Sequence, residues 1–160
     1  MKKQIEISTI CLITKDNKIL LGKKKRGLGK GYWNGLGGRL EKGESIKRCA
    51  IREAFEEAKI KINKLTLVGK ILFKSKLFKK DLLVYFYKVN NFQGKPTETL
   101  EMKPSWFNFK KIPFQKMWPD DKFWMPIFLK GGGFTGKVEF GKNHKILKNT
   151  IRKTNEKIAS

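Results

Sequence analysis

Long apolar runs, paired cysteines and arginine are all scarce in this chain, and each scarcity removes a class of function. No stretch of about 18 apolar residues occurs in the 160-residue sequence, so no membrane-spanning helix is expected. The start, Met1-Lys2-Lys3, carries the charge of a leader peptide, but Glu6 interrupts the apolar region and no small-residue cleavage site follows. Alternation of Ile5, Ile7, Thr9, Cys11 and Ile13 with Glu6, Ser8 and Leu12 instead predicts a strand. The two cysteines, Cys11 and Cys49, form no CxxC pattern and sit in apolar stretches, which points to packed, reduced thiols and a cytoplasmic location.

Arginine accounts for five of the 37 basic residues. Proteins that read nucleic acid through fork-like contacts rely on arginine, whereas lysine acts as a point charge. The net charge of +23 therefore does not by itself indicate a stable nucleic-acid partner, and none is expected. Lysines are spread through every segment, alongside abundant Ile, Asn and Phe. That spread fits compositional drift toward A/T-rich codons; a field that concentrates phosphate-bearing ligands is the alternative.

What is present suffices for one folded domain over residues 1–160, with 39% hydrophobic residues and no repeat or linker. Strands are predicted over residues 5–13, 18–22, 65–73 and 82–89, with turns at Lys15-Asp16-Asn17 and at Asn90, Asn91 and Gly94. A helix is predicted from Ser45, its N-cap, to about Ala58. A second begins near Pro119 and runs to about Leu129, where Gly131-Gly132-Gly133 stops it. Weaker strands over 134–140 and 145–151 close an α/β domain with a mixed sheet, expected as a monomer.

Acids are few, and three of the 14 crowd one helix face. At 100° per residue Glu53, Glu56 and Glu57 fall within an arc of about 100°, while Ile51, Ala54, Phe55 and Ala58 point away, toward a core. Carboxylates so placed repel, by roughly 0.2–0.5 kcal/mol per exposed pair. In a lysine-rich chain an uncompensated acidic cluster calls for a partner. A solvated face screened by lysines is one resolution; a divalent ion with oxygen-only ligands, Mg²⁺ or Mn²⁺, is the other.

The upstream residues discriminate. Gly38, five residues, Glu44, seven residues, Arg52-Glu53, an apolar Ala54, one residue and Glu56-Glu57 together resemble the signature of the Nudix hydrolases. Six such identities at about 6% usage each arise by chance at on the order of 10⁻⁷ per register. The resemblance implies an α/β/α sandwich with a mixed β-sheet and metal-dependent cleavage of nucleoside diphosphate linkages. It gives Gly37, Glu53, Glu56 and Glu57 as metal ligands, with Arg52 pairing Glu44 to hold the loop on the helix. One position departs: Lys59 stands where the family has a helix-ending glycine, and a left-handed lysine costs on the order of 1 kcal/mol.

Within that family, Leu20–Gly27, Gly31–Gly35, Glu101–Pro104 and Met117–Asp121 are similar to the animal MutT-homologue branch. Its members cleave oxidised purine nucleoside triphosphates such as 8-oxo-dGTP and 2-hydroxy-dATP to the monophosphate and pyrophosphate. This similarity implies base contacts from Asn34, Asp120 and Asp121, with Trp118 stacked on the base and Phe73 on the other wall. It puts Thr9 and Lys24 near the sugar or phosphates, includes Leu36, Gly38, Arg39 and Pro119 among the substrate-binding residues, and adds Glu101 as a metal ligand. Leu28 stands where the branch has phenylalanine. Adjacent carboxylates beside a tryptophan cannot both ionise cheaply, so Asp120 and Asp121 can share a proton and present a donor beside an acceptor. The alternatives left by the residues are a Nudix hydrolase of another nucleoside diphosphate derivative or capped RNA, and a non-catalytic basic module.

Overall fold

Every residue from 2 to 159 is described by the computed structural model; the outer limits of the expected domain, Met1 and Ser160, lie outside the described residues. In chain order the elements are β1 (Ile5–Lys15), β2 (Lys18–Lys24), β3 (Trp33–Asn34), α1 (Ile46–Ala58), β4 (Lys61–Ser75), β5 (Asp81–Gln93), β6 (Met102–Asn108), α2 (Asp121–Leu129), β7 (Gly133–Phe140), β8 (Ile146–Asn149) and β9 (Arg152–Thr154). The strands form one mixed sheet in the order β3-β2-β1-β5-β4-β7-β8, with β6 beside β2 and β9 beside β7. Two pairs are parallel, β1 with β5 and β4 with β7. No described helix is long and apolar enough to cross a membrane.

The sheet is covered on both sides, which is why its central strands read as nearly continuous apolar runs. Alternation sorts their side chains. Cys11, Ile13, Leu20, Tyr85, Tyr87 and Val89 pack with Ala50, Ala54 and Ala58 of α1. Leu12, Ile19, Leu21, Val84 and Phe86 face the other way, onto Trp124, Met125 and Phe128 of α2. The α/β/α sandwich expected from the signature is the architecture observed.

Four expectations need correction. Ile51 and Phe55 are 38% and 51% exposed, so they are not the core face of α1. The face laid on the sheet is small, Cys49, Ala50, Ala54 and Ala58, which brings the helix close and carries Glu57 inward with it. Asn90 and Asn91 do not turn: they continue β5, held by pairing to the start of β4 and by a hydrogen bond of 3.0 Å from Asn63 Nδ2 to Asn91 Oδ1. Such long-range pairing outweighs the local turn preference of asparagine. Helix α2 starts at Asp121, two residues beyond Pro119, and the expected strand over 145–151 is shortened to β8, with a further strand, β9, beyond it.

The two ends of α1 agree with the sequence reading. Ser45 accepts the Arg48 N–H at 3.2 Å as N-cap. Lys59 ends the helix with φ 60° and ψ 26°, its N–H donating to the Phe55 carbonyl. The chain thus keeps the left-handed cap without the glycine, at a local cost of about 1 kcal/mol.

Candidate active site

Two glycines let α1 close on β1. A Cβ on Gly37 would lie 1.8 Å from the Thr9 carbonyl oxygen, and one on Gly38 would lie 2.4 Å from the Glu53 carboxyl carbon. At Gly37 the obstacle is backbone and no side chain fits; at Gly38 a side chain would displace the Glu53 carboxylate. The close approach allows the Gly37 N–H to donate to Glu57 Oε1 at 2.6 Å. The Gly38 carbonyl accepts from Thr9 N and Ser8 Oγ, both at 2.9 Å.

Arg52 organises the acids around it. Its guanidinium donates to both oxygens of Glu44, at 2.6 and 3.1 Å, as the signature implies, and also to Glu53 at 2.9 Å and Glu56 at 3.1 Å. A further hydrogen bond reaches the Arg39 carbonyl, tying the glycine-rich turn to the helix. The Arg52 hydrogen bonds hold Glu44 below the usual carboxylate range. Glu53 and Glu57 behave oppositely. Burial pushes Glu53 upward, against its bond to Arg52. Burial pushes Glu57 up to about 8 despite the Gly37 N–H, with the charges of Glu53 and Glu101 adding to the effect.

Nudix hydrolases use divalent metal ions, and the donors here fit one. Glu53 and Glu57 are confined carboxylates brought against the Gly37–Gly38 turn, and burial raises the affinity of both for protons. Oxygen-only donors of this kind suit a hard cation. Among the described residues no three His, Cys, Asp or Glu side chains converge as a ready-made cage. Arg52 bridges Glu53 and Glu56, and Glu101 is paired with Arg26, which holds it below the usual range.

Beside these acids lies a cavity of about 190 Å³, walled by Thr9, Lys24, Asn34, Phe73, Trp118, Asp120 and Asp121 and reached also by Leu28, Gly37, Gly38 and Arg39. A smaller recess of about 60 Å³ shares Lys24, Leu28, Asn34, Gly37 and Trp118 with it and is walled by Glu57. Arg39 is also paired with Glu6 at 3.0 Å. Two expected residues are elsewhere. Leu36 is fully buried in the α1 core, since alternation along an extended segment sends it opposite to Gly35 and Gly37. Pro119 is in the turn before α2 and does not line the cavity.

Asp120 and Asp121 are 2% and 3% exposed. Trp124 Nε1 donates to Asp120 Oδ2 at 2.9 Å, while Asp121 Oδ2 is buried with no hydrogen-bond partner. Burial raises both acids, Asp120 to about 6, and the charge of Asp120 drives Asp121 well above the usual range. Burial and mutual repulsion thus favour retention of a proton by the pair, beside one acceptor oxygen without a partner.

The aromatic wall is larger than the sequence indicated. Phe140 stacks on Phe73 at 5.9 Å between centroids with the planes 1° apart, and Phe78 meets Phe140 edge-on at 6.4 Å. Both line the cavity. They come from a hairpin tip and from β7, and no local periodicity flags either one.

The fold and the glycine–acid geometry together define a nucleotide-cleaving class, and the comparisons agree. Residues 4–128 match the NUDIX domain, and the chain belongs to the Nudix family. It is 39% identical over 136 residues to the oxidized purine nucleoside triphosphate hydrolase of Danio rerio, covering 84% of this chain and 86% of that protein. With the protein of the same name from Mus musculus it is 38% identical over 144 residues, covering 90% and 92%. Its fold is similar to that of the MutT protein from Bacillus halodurans, with a TM-score of 0.81 at 22% identity over 91% of this chain and 97% of that one.

Proposed function

We propose that this chain hydrolyses oxidised purine nucleoside triphosphates, of the 8-oxo-dGTP and 2-hydroxy-dATP class, to the monophosphate and pyrophosphate. It does so with Mg²⁺, for which Mn²⁺ can substitute, as a monomer without a stable nucleic-acid partner. The observation that carries the reading is the sealed aspartate pair, whose Asp121 Oδ2 lacks any partner inside a cavity adjoining the acidic helix.

A purine ring between Trp118 and Phe73 would gain aromatic contact while its edge meets Asn34, Asp120 and Asp121. The shared proton lets one aspartate donate while the other accepts, and exchange of the two roles suits both an oxidised guanine and an oxidised adenine. Thr9 and Lys24 lie toward the sugar and phosphates. Glu53, Glu56, Glu57 and the Gly37 carbonyl would hold the divalent ion, with Glu101 joining them on release from Arg26. When bound, such an ion neutralises phosphate oxygens and acidifies a water. Arg52 keeps the helix acids and Glu44 in register, and the buried walls keep bulk water from the base.

The test is incubation with Mg²⁺ and a panel of normal and oxidised deoxynucleoside triphosphates, followed by identification of products. Monophosphate and pyrophosphate, formed much faster from the oxidised purines, are expected. Turnover of only a capped RNA or another nucleoside diphosphate derivative would replace this substrate assignment.

A further inference from the structure

Trp118 enters the cavity wall from an irregular stretch just before α2, and the residues that steady its ring come from two remote segments. The chain's one histidine, His144, lies over it with centroids 4.3 Å apart and the planes tilted by 38°. Tyr32 meets Trp118 edge-on at 5.4 Å and His144 at 6.1 Å. Tyr32 lines the smaller recess but not the larger cavity, and His144 lines neither, so both meet the larger cavity through the indole.

The backbone under His144 is the informative part. Lys142–Lys145 is the turn of the β7–β8 hairpin, closed by Lys145 N–H to the Lys142 carbonyl at 3.1 Å. Asn143 and His144 have φ of 54° and 58°, and positive φ at both central positions is what a type I′ turn requires. Asparagine suits the first position; the second favours glycine, since any Cβ there is strained. The chain instead carries an imidazole at the glycine-favouring position, and that ring is the one stacked on Trp118. A residue placed against local backbone preference, with its side chain on a ring that walls the cavity, marks the contact as more than a by-product of the turn.

We propose that His144, with Tyr32, is a positioning residue that clamps Trp118 flat in the base-binding wall and so sets affinity for the oxidised purine. This rests on the functional reading above. The clamp acts on binding rather than on the phosphate chemistry at α1, so its loss separates KM from kcat. Aromatic pairs of this kind correspond to roughly a two- to tenfold change in affinity.

His144→Gly is the decisive variant because it suits the turn while deleting the ring. With 8-oxo-dGTP and Mg²⁺, KM should rise roughly two- to tenfold with kcat within about twofold of the parent. The melting temperature should not fall, and affinity for 8-oxo-dGMP, followed by tryptophan fluorescence, should weaken in parallel. His144→Phe should restore most of the loss. A parent protein that binds the nucleotide while His144→Gly binds it equally well overturns the clamp alone. A parent with no affinity for either nucleotide overturns the functional reading and the clamp with it.

Discussion

The acids of α1 and the two aspartates at the start of α2 lie around adjoining recesses, Glu57 walling one and Asp120 and Asp121 the other, yet they are handled in opposite ways. Around α1 a guanidinium sits among the carboxylates: Arg52 is bonded to Glu44, Glu53 and Glu56, and Glu57 takes a backbone N–H. Charge there is organised and partly open to solvent. Asp120 and Asp121 have no cation beside them; one indole N–H serves the pair, and one oxygen is left without a partner. The same functional group is thus held around a guanidinium in one environment and sealed beside a single indole N–H in the other. Burial alone does not separate them, since Glu57 is also raised by it; the Arg52 guanidinium shared by its neighbours Glu44, Glu53 and Glu56 does.

The comparison breaks most visibly at Glu57. Glu57→Gln keeps an acceptor for the Gly37 N–H and removes the charge. Turnover of an oxidised purine triphosphate should fall by on the order of 10²–10⁴, with circular dichroism unchanged. A near-normal rate in that variant would place the chemistry elsewhere.

Asp120→Asn sharpens the other half. It fixes a donor where a proton could be exchanged, so the ratio of kcat/KM for 8-oxo-dGTP over 2-hydroxy-dATP should shift by about tenfold or more. Steady-state kinetics on both nucleotides reads this directly. An equal loss on the two would return the pair to a structural role.

The smallest effect is on stability and has a definite sign. The folded state raises both aspartates above their unfolded value of 3.8, Asp120 to about 6, so it binds protons more tightly than the unfolded chain. The resulting stabilisation is complete below 3.8 and is lost as pH rises through about 6 and beyond. Asp121→Asn removes the charge that must be buried at high pH. Its melting temperature should exceed that of the parent by about 2–4 °C at pH 8, and the advantage should vanish at pH 4. The reverse order of melting at the two pH values would contradict a shared buried proton.

Most of the fold and the acidic centre were legible because their signals are local. The i, i+3, i+4 spacing of Glu53, Glu56 and Glu57 and the Ser45 cap are set within one helix, and the alternation of β1 within one strand. The same helix shows where legibility stops. A 100° wheel gives two faces but not which one is covered, and the larger apolar residues Ile51 and Phe55 lie outside while small alanines meet the sheet. Leu36 was misplaced because the resemblance passes through a glycine-rich stretch in which neighbours alternate sides. Phe78 and Phe140 in the aromatic wall, and His144 behind Trp118, gave no signal, since their places depend on which strand ends the topology brings together.

The glycine-bounded acids of α1 are expected to capture a divalent ion that engages the polyphosphate. Calorimetric titration of Mn²⁺ into the protein, with a non-hydrolysable oxidised purine triphosphate present, tests it most directly. The account expects saturable binding that is abolished or severely weakened in Glu57→Gln. Absence of any Mn²⁺ binding to the parent chain, with or without the nucleotide, would contradict it.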